Sequence, residues 1–259
     1  MEDDLKLKQS NNLILATHKM NIQQMRLFFY ACSQYRGDLD IEVNLDAVNR
    51  VLTEDTGNRG GNQRELVKNS IPTLMRNGLV HIDDEDGERW SVAITDSYIK
   101  KDGETVRFTF NKSVQRELEE LRGYTYMYLS NLTGMTSTYS VRLYEFFAMR
   151  LGSQNAKGKF DFDIIQLRSY LNCIEKHKMF KNFEARVLKQ AEEEINAKTN
   201  IKMSYTKIKT GRKITSIEFL FAWKNRKDII DVDVKKKASA NAFTKYEQTE
   251  LDEFLKNFE

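Results

Sequence analysis

Apolar residues fall at steps of three and four along some stretches of the chain and at steps of two along others. The two periods alternate in an order that occurs twice. Phe180, Phe183, Val187, Ala191 and Ile195 make one helical stripe and predict a helix from Phe180 to Ala197. Leu66, Val67, Ile71 and Leu74 make another, in a helix predicted over Asn62 to Asn77 and closed by Gly78. Pro72 lies inside it and is expected to kink or divide it, because proline lacks a donor and crowds the carbonyl four residues back. Two helices are expected ahead of each of these. In the first half they cover Ile22 to Tyr35 and a short run from Asn44, with Asn44 or Asp46 as the cap; in the second they cover Ser137 to Leu151 and Phe162 to Leu171.

Strand-like stretches follow each third helix. Leu79 to Ile82 comes first, then a hairpin of Trp90 to Ile99 with Thr105 to Phe110 about Asp102-Gly103, then a helix over Ser113 to Leu121. In the second half Ile201 to Ile208 pairs with Ile214 to Trp223 about Thr210-Gly211. Helix, helix, helix, hairpin is the order of a winged helix, whose third helix can enter the major groove of DNA. An echo links the halves: Arg26-Leu27-Phe28 precedes Phe29-Tyr30, and Arg142-Leu143-Tyr144 precedes Glu145-Phe146-Phe147. The expected fold class is therefore α+β, two tandem winged-helix domains related by pseudo-duplication, each a three-helix core with a β-hairpin wing. The expected boundaries are 1–122, 123–225 and a linker with an acidic tail at 226–259, and a length of 259 residues suits two domains.

Composition narrows the chemistry. With 41 Lys and Arg against 38 Asp and Glu, the net charge of +3 excludes a bulk-basic chain but not local patches. Cys32 and Cys173 are too few for a disulfide framework or a four-cysteine zinc site and read as reduced, buried thiols. His18, His81 and His177 are isolated, no glycine loop ends in Gly-Lys-Ser or Gly-Lys-Thr, and Asp83-Asp84-Glu85-Asp86 reads as a solvated turn. No catalytic group, metal or cofactor is expected. An acidic start at Met1-Glu2-Asp3-Asp4 and no apolar run of about 20 residues point to a soluble, cytoplasmic protein without a membrane partner.

Charge is concentrated in one segment. From Lys176 to Lys213 there are eleven cations and four glutamates, a net of +7. Lys178, Lys181, Asn182, Arg186 and Lys189 lie at the start and on the polar face of the third helix, and Lys207, Lys209, Arg212 and Lys213 lie on its hairpin. A solvated amphipathic helix has the same face pattern; the surrounding cations favour DNA. Arg186 suits a bidentate contact to guanine and Asn182 one to adenine, each worth about 1–3 kcal/mol of discrimination. The hairpin lysines and Arg212 suit phosphates, with affinity from counterion release. The first half carries a weaker set, Arg59, Asn62, Lys68, Asn69 and Arg76, with Glu65 on the same face and Lys100 and Lys101 marking a possible first wing. Dimerisation competes with DNA contact as the role of this half.

Three stretches resemble one family: Ser10-Asn11-Asn12-Leu13-Ile14; Ser137 to Glu145, reading STYSVRLYE; and Phe183-Glu184-Ala185-Arg186-Val187-Leu188 continuing to Gly211-Arg212-Lys213. The chain is similar in these to the iteron-binding plasmid replication initiators, a family of two winged-helix domains. The resemblance implies binding to direct repeats at a plasmid origin, opening of the adjacent duplex, and recruitment of host initiation proteins and helicase. It also implies a homodimer in equilibrium with monomer, formed through the N-terminal domain and repressing its own gene at an inverted repeat. Arg142, Tyr144 and Glu145 would be internal scaffold. Gln190 stands where many members have proline. A winged-helix repressor without a replication role is the alternative. A nicking enzyme acting through tyrosine lacks the histidine pair that would hold its metal. Lys235-Lys236-Lys237 lies in the expected linker, and Leu251, Phe254, Leu255 and Phe258 suggest a short acidic amphipathic helix beyond it.

Overall fold

The computed structural model describes residues 5–53, 63–84, 87–119, 123–152, 155 and 157–224. The expected linker and acidic tail lie outside them. β1 (Lys6–Ser10) runs into α1 (Asn11–Leu15), capped by Ser10, whose hydroxyl accepts the Leu13 amide at 3.0 Å. After β2 (Thr17–His18), Asn21 and Gln24 open α2 (Ile22–Gln34) with a reciprocal capping box. β3 (Asp40–Asn44) leads to α3 (Leu45–Thr53), and Asn44 is the cap: its Oδ1 accepts the Asp46 and Ala47 amides at 2.9 and 3.3 Å. α4 (Gln63–Asn77) continues as one helix past Pro72, which is exposed. Proline here does not divide the helix. Gly78 closes it by donating to the Leu74 carbonyl at 2.6 Å.

β4 (Leu79–Asp84) and β5 (Gly87–Val92) follow as a hairpin, then β6 (Ile94–Ile99) and β7 (Thr105–Phe110) as a second. The expected continuous strand from Trp90 to Ile99 therefore breaks at Ala93. That buried residue donates to the Gly78 carbonyl at 2.8 Å and accepts from the Asn111 amide at 3.1 Å, so it turns the chain between two sheets. α5 (Lys112–Glu119), β8 (Tyr124–Tyr128) and α6 (Leu129–Thr133) lead to the second unit.

There the order is α7 (Thr138–Leu151), β9 (Lys157–Asp163), α8 (Ile164–Tyr170), and a long helix across 180–198. The long helix is α9 (Phe180–Phe183), a π-helical turn (Glu184–Lys189) and α10 (Gln190–Lys198). β10 (Ile201–Thr210) and β11 (Lys213–Trp223) close the unit as the hairpin foreseen about Gly211, which has φ +63°. In both units a short strand, β3 or β9, lies between the first and second helices, where none was expected.

The described residues form four sheets, all antiparallel: β1-β8, β2-β4-β5, β3-β7-β6 and β10-β11-β9. Phe108 and Phe110 fill the core of the first unit, and Phe146, Phe147, Phe162 and Phe219 that of the second. α2 and α7 are buried without a break from Gln24 to Ser33 and from Ser140 to Ala148. Helices covered on every side are central ones; each packs on its own core and on elements of the other unit. Among the described residues no helix is long and apolar enough to cross a membrane.

Candidate nucleic-acid interface

Arg168, in the last turn of α8, shapes the approach to the long helix. It donates to the Lys176 and His177 carbonyls at 3.0 and 2.9 Å, and its guanidinium lies 4.3 Å over the Phe183 ring. His177 has φ +52° and packs edge-on against Tyr139; partial burial and the nearby Arg186, Arg168 and Lys176 hold its pKa below the usual range. The loop therefore delivers Lys178 and Lys181 in a locally positive field.

Of the expected apolar stripe Phe180, at its start, is partly buried, and Phe183, Val187, Ala191 and Ile195 are fully buried. Leu188 joins them. Val187 and Leu188 both lie on the π-helical turn. Lys181, Asn182, Arg186 and Lys189 are all exposed, and no carboxylate of the described residues lies within ion-pair distance of the three cations.

The glutamates of this segment do not share that surface equally. Glu194 is buried and turned inward, where it accepts the Thr136 amide at 3.2 Å, the Ser137 amide at 3.1 Å and the Thr136 hydroxyl. These bonds outweigh its burial and hold its carboxyl below the usual range. Glu184 accepts from Lys207 at 2.8 Å and from Tyr205 at 3.4 Å, and Lys207 lowers its pKa. This pair ties β10 to the helix start and brings the hairpin cations beside the helix cations. Lys209, Arg212 and Lys213 are exposed at the hairpin tip. Lys207, by contrast, is held by Glu184, and Lys178 pairs with Glu175 at 2.9 Å.

In the first unit Val67, Ile71 and Leu74 are buried as expected, and Lys68, Asn69 and Arg76 are exposed on α4 together with Glu65. Arg59 and Asn62 lie outside the described residues. Lys100 and Lys101 are not on the hairpin that follows α4. That hairpin is β4–β5; the two lysines sit at the β6–β7 turn, in another sheet, and Lys100 is bound to Glu42 at 2.5 Å. The misplacement follows from the break at Ala93. The β4–β5 hairpin instead carries Trp90, 59% exposed and stacked at 4.6 Å on His81. Arg168, Glu184 and Glu194 escape sequence reasoning because their partners lie on other elements, and nothing in their spacing signals this.

Residues 6–148 match the family described as Initiator Replication protein, WH1, and residues 163–221 the one described as Initiator Rep protein, WH2. No curated protein matches the chain significantly. Among solved structures the fold is similar to the Pi initiator protein, crystallised in complex with iteron DNA. The TM-score is 0.72 at 18% identity, over 86% of this chain and 99% of that one. A structure of domains 2 and 3 of RctB is more distant, with TM-score 0.44 and 12% identity over 79% of this chain and 81% of that one.

Proposed function

Since the chain belongs to the initiator replication protein family, we propose that it binds repeated duplex DNA sites, iterons, at a plasmid origin and there nucleates duplex opening. The Pi initiator, whose fold it shares, was crystallised with iteron DNA. The observation that carries the reading is the exposed set of Lys181, Arg186 and Lys189 on the long helix beside Lys209, Arg212 and Lys213 on the hairpin. In this reading Asn182 and Arg186 read base edges, and the hairpin cations and Lys189 hold phosphates. Lys178 and Lys207 contribute once DNA phosphates compete with Glu175 and Glu184.

The second unit, 123–225, is then the main reader. The first, 1–122, adds Lys68, Asn69 and Arg76, with Arg59 and Asn62 ahead of them, and supplies the dimer contact through which the protein represses its own gene. Two recognition helices about one DNA turn apart give one bipartite site per monomer. Assembly over several repeats strains the origin, and host initiation proteins and helicase join that complex. No step in this scheme breaks a covalent bond.

Footprinting of the full-length chain on the DNA flanking its gene tests the reading. Protection of tandem direct repeats, over two successive major grooves per monomer, is the expected result. A single short half-site per monomer would overturn the bipartite scheme, and no duplex protection would overturn DNA binding.

A further inference from the structure

Arg26 and Arg142 are each the fifth residue of their helix, and each is followed by leucine and an aromatic residue. Both are buried, and both cross between the two units. Arg26 donates from Nη2 to the Met135 carbonyl at 2.9 Å, just ahead of α7, and from Nη1 to the Leu52 carbonyl at 3.3 Å in its own unit. Arg142 donates from Nη2 to the Ala16 carbonyl at 2.8 Å, in the segment that leads to α2. Its Nη1 pairs with Glu145 at 3.3 Å, and its guanidinium lies 4.4 Å over the Tyr170 ring. Equivalent side chains thus reach the backbone that precedes each other's helix, a reciprocal exchange like that of a self-complementary interface.

Apolar packing alone is non-directional and tolerates small slides. A planar guanidinium on a main-chain carbonyl is directional, and a buried cation that loses its acceptor is strongly disfavoured. Two such bonds, one in each direction, resist rotation as well as separation of the units. Each central helix packs on its own unit's core, so the two bonds couple α4 to the helix across 180–198.

We propose that Arg26 and Arg142 are positioning residues that hold the two recognition helices at one separation and phase, and so set the spacing between half-sites that the protein accepts. This rests on the bipartite reading above. One added base pair moves a half-site by about 3.4 Å and turns it by roughly 34–36°, which a rigid pair of units cannot follow.

The test uses the full-length chain with Arg26→Lys, Arg142→Lys and the double variant, which keep the charge and lose the fork. The DNA probe is a duplex enriched from a random library by the unaltered chain, remade with one base pair removed or with one or two added between the protected grooves. The unaltered chain is expected to lose about tenfold in affinity for a one-pair change, the scale of one lost base contact. The lysine variants are expected to lose less than about threefold, while their binding to a duplex carrying only the half-site of the second unit stays unchanged. A spacing profile as steep as the original, merely weaker throughout, would overturn the proposal.

A second readout needs no DNA. Spin labels at Asp46→Cys and Ser204→Cys, both exposed and one in each unit, should report a narrow distance distribution that widens in the lysine variants. An unchanged width overturns the positioning role even if the double variant is too unstable for binding work. A footprint of one half-site with widened label distances would instead show that the bipartite reading had failed and the positioning role had not.

Discussion

Arg186 is exposed on the π-helical turn with no carboxylate of the described residues within ion-pair distance, and its neighbours Val187 and Leu188 are fully buried, so its backbone is well anchored. Arg186→Ala is expected to weaken binding by about 1–3 kcal/mol and to relax selectivity at one base position, with thermal stability unchanged. Competition binding on single-base variants of the site checks this. Lys209→Ala and Arg212→Ala are expected to behave differently, weakening all sequences alike. Each should reduce the slope of log affinity against log salt by about 1, as measured by a salt titration. Glu184 is a third case. It neutralises Lys207 and stands beside the proposed phosphate path, so Glu184→Gln should tighten binding to any duplex and steepen the salt dependence. Weaker binding in that variant would show that the pair serves chiefly to orient the hairpin.

Among the elements, the junction of α10 and α7 depends on one buried carboxylate. Glu194 accepts two amides at the start of α7, so Glu194→Gln leaves one of them without its charged acceptor. A loss of about 1–2 kcal/mol in urea unfolding is expected at pH 7. The sign follows from the lowered pKa: the contribution is present above the ordinary carboxylate range and is lost as pH falls through the folded value. The difference between the two proteins should therefore shrink under acid conditions. α4 shows the limit of propensity at this scale. Proline removes one donor, yet Val67, Ile71 and Leu74 stay buried on either side of it, and packing keeps the helix whole.

Across the whole molecule, β1–β8 pairing and the two arginines join the halves. His18 sits in this seam, its carbonyl accepting from Asn172 at 3.3 Å. Burial, aided by Arg142, pushes its imidazole down to about 3. The folded chain thus holds His18 neutral where the unfolded chain protonates it, and stability is lost as pH falls from about 6.5 toward 3. The expected slope is at most about 1.4 kcal/mol per pH unit, and His18→Gln should flatten it in urea unfolding series between pH 7 and 5. An unchanged slope would mean that other groups set the acid sensitivity.

The main helices of both halves, the hairpin about Gly211, the inner faces of α4 and of the long helix, and the cation-rich segment from Lys176 to Lys213 were legible in the sequence. Each is written in local periodicity or composition, where neighbours along the chain are also neighbours in space. β3 and β9 were not recognised although Ile41 and Val43, and Phe160 and Phe162, alternate with polar residues, because two apolar positions next to a helix are too short a run to mark a strand until β7 and β11 complete it. Nor were the hairpin that follows α4, the capture of Lys207 by Glu184, or the inward turn of Glu194. The repeated Arg-Leu-aromatic triplet was visible as a motif, but only the packed units show that its arginines bond across the seam. Side chains of one type and spacing become base readers, phosphate holders or scaffold according to which backbone atoms and charges other elements bring within about 3 Å, and that is decided by tertiary structure.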